Sequence, residues 1–200
     1  MQNGTSLSKT KDIHLRVAVR ARLQKEYADA TDTMIIEELG LSHGWARVDL
    51  AVINGLLHGF ELKSDRDTLS RLPGQVDTYS AVLDRVTIVV GRQHLISVLD
   101  LVPEWWGIDV AKFQPDGTVK LSEIREPEDN PKPDLLATAK LLWREEALIL
   151  LEQAGAANGY RSKARIQLYE RLVQVAEPGW FKAAVYKQLR SRSNWRSDAQ

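Results

Sequence analysis

Residues 46–63, ARVDLAVINGLLHGFELK, constrain this chain more than any other stretch. Two apolar runs flank Asn54-Gly55, a dipeptide that tolerates left-handed backbone, so the stretch is expected to fold as an antiparallel hairpin. Beyond Arg47 near its start, three charges interrupt it: Asp49 on the first run, and Glu61 and Lys63 on the second. A charge on an inner strand needs a partner or a metal, because burial strips away its water. Paired carboxylates can hold a hard divalent cation through oxygen, and a lysine beside them can position a water or steady negative charge developing on a phosphate. These residues therefore point to metal-dependent phosphodiester hydrolysis. A plain ion pair of Lys63 with Glu61 or Asp49 at a sheet edge is the structural alternative.

The register of the hairpin tests this reading. A tight turn at Asn54-Gly55 would set Ile53 opposite Leu56 and Asp49 opposite Phe60, with Glu61 on the other side of the sheet. A longer loop of Ile53, Asn54 and a left-handed Gly55 would set Val52 opposite Leu56 and bring Asp49 and Glu61 to one face. The bulged hairpin is the form predicted here.

The neighbouring sequence supplies the other elements. Residues 11–27 form an amphipathic helix expected to be capped near Thr10 and to pack on a sheet. MIIEEL (34–39) reads as a short strand before the hairpin, and RVTIVVG (85–91) as a buried strand. Between them, Asp67 is expected to cap a helix that is interrupted at Pro73-Gly74 and resumes through Tyr79 to about residue 83. A helix over about 93–101 precedes a second hairpin, which turns at Gln114-Pro115-Asp116-Gly117. The polar, proline-rich EPEDNPKPD (126–134) is the expected linker between a core over 1–125 and a helical region over 135–200. The order of elements describes an α/β fold with a mixed sheet and added C-terminal helices.

Formal net charge is zero, which argues against indiscriminate wrapping of nucleic acid, but the charge is unevenly spread. From residue 161 onward there are nine basic and three acidic residues, a net of +6, which leaves the rest of the chain at −6. A basic C-terminal region could meet phosphates while the acidic part carries the metal; solvated helix faces are the plainer alternative. Cysteine is absent, which excludes disulfides, thiolate metal sites and a cysteine nucleophile. No apolar stretch approaches bilayer length, and MQNGTSLSKTKD has no apolar secretory core, so a bacterial or phage cytoplasm is the expected setting.

The ordered set of Asp49, Glu61-Leu62-Lys63 and Gln75-Val76-Asp77-Thr78-Tyr79 resembles the PD-(D/E)xK nuclease superfamily, although Val48 stands where that superfamily usually has proline. The longer string ELKSDRDTLSRLPGQVDTYSAVLDRVTIVVG, with VPEWWGI and the arginine-rich end, also resembles a small bacterial family of uncharacterised nuclease-like proteins. The resemblance implies a restriction-endonuclease-like α/β/α core and Mg²⁺ or Mn²⁺ as cofactor. Asp49 and Glu61 would be direct ligands, the Leu62 carbonyl a third, and Glu38 a further acid, with Glu37 and then Glu26 as alternatives. Lys63 would orient the attacking water or stabilise the pentacovalent phosphate, and the product would carry a 5′-phosphate. DNA is favoured over RNA as substrate. Gln75 and Tyr79, one helical turn apart, would support the lysine or touch the DNA backbone.

Lys163 and Arg165, at a predicted helix start, could grip phosphate through charge and unpaired N–H groups, though a solvated helix start is the plainer reading. Trp105-Trp106 could stack on bases but reads better as core. The four histidines have no metal-ligand spacing, and His58 reads as a turn residue. Two other functions stay open. One is a nucleic-acid-binding or assembly subunit that needs a protein partner or a second copy, in a defence or mobile-element system. The other is a protein-interaction module in which the charged cluster is an edge ion pair.

Overall fold

The computed structural model describes residues 9–192. Alternating apolar residues over 34–63 produce an antiparallel meander of β1 (Met34–Leu41), β2 (Ala46–Ile53) and β3 (Leu57–Lys63). β4 (Arg85–Gly91) lies parallel to β3 and β5 (Gly107–Phe113) parallel to β4, because α2 (Leu72–Val82) and α3 (Leu95–Leu101) carry the chain back each time. β6 (Val119–Arg125) closes the row antiparallel to β5, so the six strands of the sheet stand in chain order. The fold is therefore α/β with a mixed sheet, as expected.

The two faces of the sheet are covered differently. α1 (Asp12–Glu26) places Leu15, Val19 and Leu23, spaced for one helical face, on Leu50, Val52, Phe60, Leu62, Val89 and Ala111. The other face carries α2 and α3, then α4 (Leu135–Ala139), α5 (Arg144–Gln153), α6 (Arg165–Val175) and α7 (Pro178–Ser191). Residues from Ile36 and Val48 through Leu151, Tyr169 and Leu189 form one hydrophobic cluster there.

Several local expectations need correcting. Thr10 does not cap α1: its N–H and hydroxyl bond to Asp65 Oδ2, while the Lys11 N–H donates to His14 Nδ1. Pro73 does not interrupt a helix but stands in the first turn of α2, where its missing N–H would have had no partner. Asp67 instead fastens the preceding turn by accepting from the N–H and hydroxyl of Ser64. His58 is a β3 residue bonded to Thr87 Oγ1, not a turn residue. Residues 126–134, the expected linker, join β6 to the C-terminal helices without helix or strand and are fastened on the way: the Asn130 N–H donates to the Asp84 carbonyl, its amide to those of Ser80 and Leu83, and the Asp134 N–H to that of Ala81.

The hairpin has the longer loop, set one residue later than predicted. Ile53 pairs with Leu57 across Asn54, Gly55 and Leu56, and Gly55 is left-handed at φ +70°. The parity is the predicted one, so Asp49 and Glu61 are brought together.

Candidate functional site

β1 and β2 both break their alternation at the same level. Ile36 and Leu39 of β1, and Val48 and Ala51 of β2, share the cluster on the α2 side, though each pair is separated by an odd number of residues. The residues between that absorb the offset include Glu38, which is left-handed at φ +57°, and Asp49, which lies opposite it in a register running from Glu37↔Leu50 to Leu39↔Val48. Left-handed backbone on a residue with a Cβ costs about 1 kcal/mol and persists only where the surroundings hold it.

The pairing of β2 with β3 runs to Leu50↔Phe60, and beyond it the Asp49 side chain takes over: its Oδ2 accepts the Leu62 N–H at 2.8 Å. Glu61, buried on the neighbouring strand, is held by three side chains. Lys63 Nζ and Gln75 Nε2 donate to Oε1, the latter at 2.6 Å, and the Tyr79 hydroxyl donates to Oε2 at 2.7 Å. The Tyr79 oxygen also lies 2.6 Å from the Arg47 carbonyl, so one hydroxyl proton faces two acceptors. α2 makes this possible by setting Gln75 and Tyr79 on one face, with Tyr79 stacked on the buried Trp106 at 6.0 Å between centroids.

The two acids still repel each other across these donors. Burial, and next the charge of Glu61, push the Asp49 carboxyl up to about 7, against the opposing pull of the Leu62 N–H and Arg16. The Tyr79 hydroxyl is held well above its usual range by burial and by Glu61. Gln75 Oε1 is buried with no donor to it, and the reversed amide would set that oxygen against Glu61.

Arg16, which sequence reasoning missed, is the standing counter-charge. From α1 its guanidinium reaches Asp49 Oδ1 at 2.9 Å, the Asp49 carbonyl at 3.2 Å and Glu38 at 2.9 Å, with Glu37 at 3.9 Å. Glu38 faces Arg16 and, at 3.7 Å, Arg47; Glu37 faces Arg20 at 2.8 Å; Glu26 ends α1 several turns away. Among the described residues no three His, Cys, Asp or Glu side chains converge as a metal-holding group, so Glu38 is not brought in as a further acid ligand. The only local signal for Arg16 was a cation beside the buried face of α1.

Asp49, Glu61, Lys63, Gln75 and Tyr79 thus form one connected cluster. Lys163 and Arg165 stand apart in the C-terminal region, Arg165 as the first residue of α6 and Lys163 in the bend before it, in a polar groove with Tyr160, Gln167, Glu170, Arg171 and Gln174. Of the basic C-terminal residues, Lys182 pairs with Asp84, Arg192 with Glu146 and Arg161 with Glu152, which leaves a smaller cationic surface than the count suggested; Arg196 lies outside the described residues. Trp106 is core, as expected. No described helix is long and apolar enough to cross a membrane.

Comparison with known proteins corrects the family. The model of the bacteriophage P4 protein cII family matches residues 6–199, and the chain belongs to that family. Protein cII of Enterobacteria phage P4 is 37% identical over 84 residues, which cover 42% of this chain and 31% of the phage protein. The match thus spans about a third of that relative's length. The SPO1766 protein of unknown function from Silicibacter pomeroyi aligns over 72% of this chain and 92% of its own, at 19% identity and a TM-score of 0.40, a likeness too loose to carry an argument. Membership of the phage family overturns the assignment to the PD-(D/E)xK superfamily and to a nuclease-like bacterial family, and with it the nuclease activity drawn from that resemblance.

Proposed function

We propose that this member of the phage cII family binds nucleic acid through a divalent cation, Mg²⁺ or Mn²⁺, held at the Asp49–Glu61 pair. The observation that carries the reading is the close approach of these two acids, expressed in an Asp49 carboxyl pushed up to about 7 by burial and by Glu61. A dication would offset the repulsion between them more completely than Arg16 and Lys63 do.

The donors fit a hard cation. Asp49, Glu61 and the Leu62 carbonyl are all oxygen ligands, and a strand residue's carbonyl faces the same neighbour as its N–H, here the Asp49 side. The orphaned Gln75 Oε1 gives a further buried oxygen beside them. When bound, the cation would supply positive charge to a phosphate oxygen. Lys63 and Tyr79 fix the Glu61 carboxylate, and around Arg16 the exposed Arg20 and Arg47, paired with Glu37 and Glu38, are cations that a polyanion could take over from those acids.

Titration calorimetry with Mn²⁺ tests the first half of the reading. Wild type should bind one cation, and Asp49→Asn and Glu61→Gln should each lose at least tenfold in affinity. Binding of labelled single- and double-stranded DNA and of RNA, with Mg²⁺ or with EDTA, tests the second half. Equal binding in EDTA, or full cation affinity in both variants, would overturn the proposal.

A further inference from the structure

Trp45 is 92% exposed, whereas tryptophan is ordinarily among the most buried side chains on average. It stands at the end of the turn that joins β1 to β2, between backbone held left-handed at Ser42 (φ +49°) and Gly44 (φ +89°) and the first residue of β2. Held there, it contributes little to the core of its own chain.

Its position beside the strand is informative. Trp45 is the last turn residue, with helical backbone (φ −64°, ψ −31°), one residue before β2, and Arg47, 45% exposed, lies two residues further on, in alternation with the buried Val48. A flat aromatic surface and a guanidinium therefore stand two residues apart on the line of chain that leads to Asp49. The Tyr79 hydroxyl reaches both the Arg47 carbonyl and Glu61 Oε2, which fixes the middle of this line to the buried centre. Arg20, from α1, adds a second exposed cation on the same side through Glu37.

From this line we infer that Trp45 is a stacking platform for an unpaired base of single-stranded nucleic acid, with Arg47 meeting the adjoining backbone phosphate and the strand continuing toward Asp49. The inference rests on the nucleic-acid reading above and names its ligand class. An exposed aromatic face offers nothing to a base already stacked on both sides within a duplex, whereas an unpaired base presents a free π-surface. Positive charge beside the ring suits a phosphate and not an apolar partner surface.

Because Trp45 is almost wholly exposed, its replacement should leave the fold intact. The test is fluorescence anisotropy with an end-labelled single-stranded oligothymidylate in Mg²⁺, using full-length wild type, Trp45→Ala, Trp45→Phe and Asp49→Asn, with an abasic strand of the same length as control. Trp45→Ala should weaken binding about tenfold. Trp45→Phe should recover most of the loss, and the abasic strand should bind wild type and Trp45→Ala alike. Unchanged affinity in Trp45→Ala, an equal loss on the abasic strand, or a dimer-to-monomer change without loss of DNA affinity would overturn this inference and leave the cation-dependent reading standing. Failure of wild type to bind any strand would overturn both.

Discussion

Two of the carboxylate centres on this sheet are built from the same kinds of group. At one, Asp84 just before β4 accepts the Leu57 N–H at 2.8 Å, the Tyr186 hydroxyl and the Lys182 ammonium, the last two from α7. At the other, Asp49 and Glu61 accept the Leu62 N–H, the Tyr79 hydroxyl, the Lys63 ammonium, the Gln75 amide and Arg16. The difference is how the acids are set. Asp84 is one acid with one cation and two neutral donors, whereas Asp49 and Glu61 are adjacent acids whose two cations are Lys63 and an Arg16 shared with Glu38. The first centre binds a helix to the sheet across about half the sequence. The second keeps two acids side by side with the Asp49 carboxyl pushed up, a better mark of a binding site than burial of charge alone.

If that contrast is right, removing the acid should have opposite consequences at the two places. Asp84→Ala leaves the Leu57 N–H, the Tyr186 hydroxyl and the Lys182 ammonium without their shared acceptor, and should cost about 3 kcal/mol or more. In a domain of this size that is a fall of roughly 6–12 °C in Tm. Thermal unfolding measures it, and a loss below 1 kcal/mol would mean that α7 is held by its apolar contacts alone.

Asp49→Asn should instead stabilise the protein by about 1–2 kcal/mol at pH 8, because the amide oxygen can still accept the Leu62 N–H while the repulsion from Glu61 is gone. The sign follows from linkage. With its folded-state value raised to about 7 from an unfolded value of 3.8, Asp49 contributes stability that is fully present below pH 3.8 and lost as pH rises through 7. The advantage of the asparagine variant should therefore shrink toward zero as pH falls from 8 to about 4. His58 works the other way: burial, then Arg85 and Arg22, lower it to about 3, so its contribution is present above pH 6.5 and is lost as pH falls toward 3. Denaturant unfolding across this range separates the two slopes. Destabilisation of Asp49→Asn at pH 8 would show that the pairing with Arg16 outweighs the repulsion.

The two centres were unequally legible in the sequence. Asp49, Glu61 and Lys63 stood out because charges interrupted an apolar hairpin, and Gly55 marked the loop that brings Asp49 and Glu61 together even though it begins one residue later than expected. Gln75 and Tyr79 were singled out through the resemblance, and their spacing of one helical turn does put them on one side of α2. Arg16 was not visible, since its partners lie 33 residues away on a strand and nothing in an amphipathic helix says which of its cations will turn inward. Asp84 had no local signal at all: its partners are 98 and 102 residues away and come together only when α7 closes over the sheet. The role of Glu38 was misread because its left-handed backbone and its pairing with Arg16 are properties of the paired strands.

The tyrosines give the smallest and finest test. Tyr186→Phe removes a hydroxyl that donates to one acceptor, Asp84, and should cost about 1–2 kcal/mol, as expected for a buried hydrogen bond to a charged group. Tyr79→Phe removes a hydroxyl divided between Glu61 and the Arg47 carbonyl, at a carboxylate that keeps Lys63 and Gln75, and should cost less, about 1 kcal/mol. It should also leave the pair with less stabilisation of its negative charge. The midpoint of Asp49 ionisation, followed by carboxyl NMR shifts, should then move upward from about 7 as the Glu61 charge becomes less well screened. A cation bound at Asp49 and Glu61 should reverse that movement, because a dication replaces far more positive character than the lost hydroxyl supplied. If Tyr79→Phe leaves the Asp49 midpoint unmoved, the hydroxyl serves Arg47 alone, and Tyr79 fixes the strand that carries Trp45 without acting on the acids.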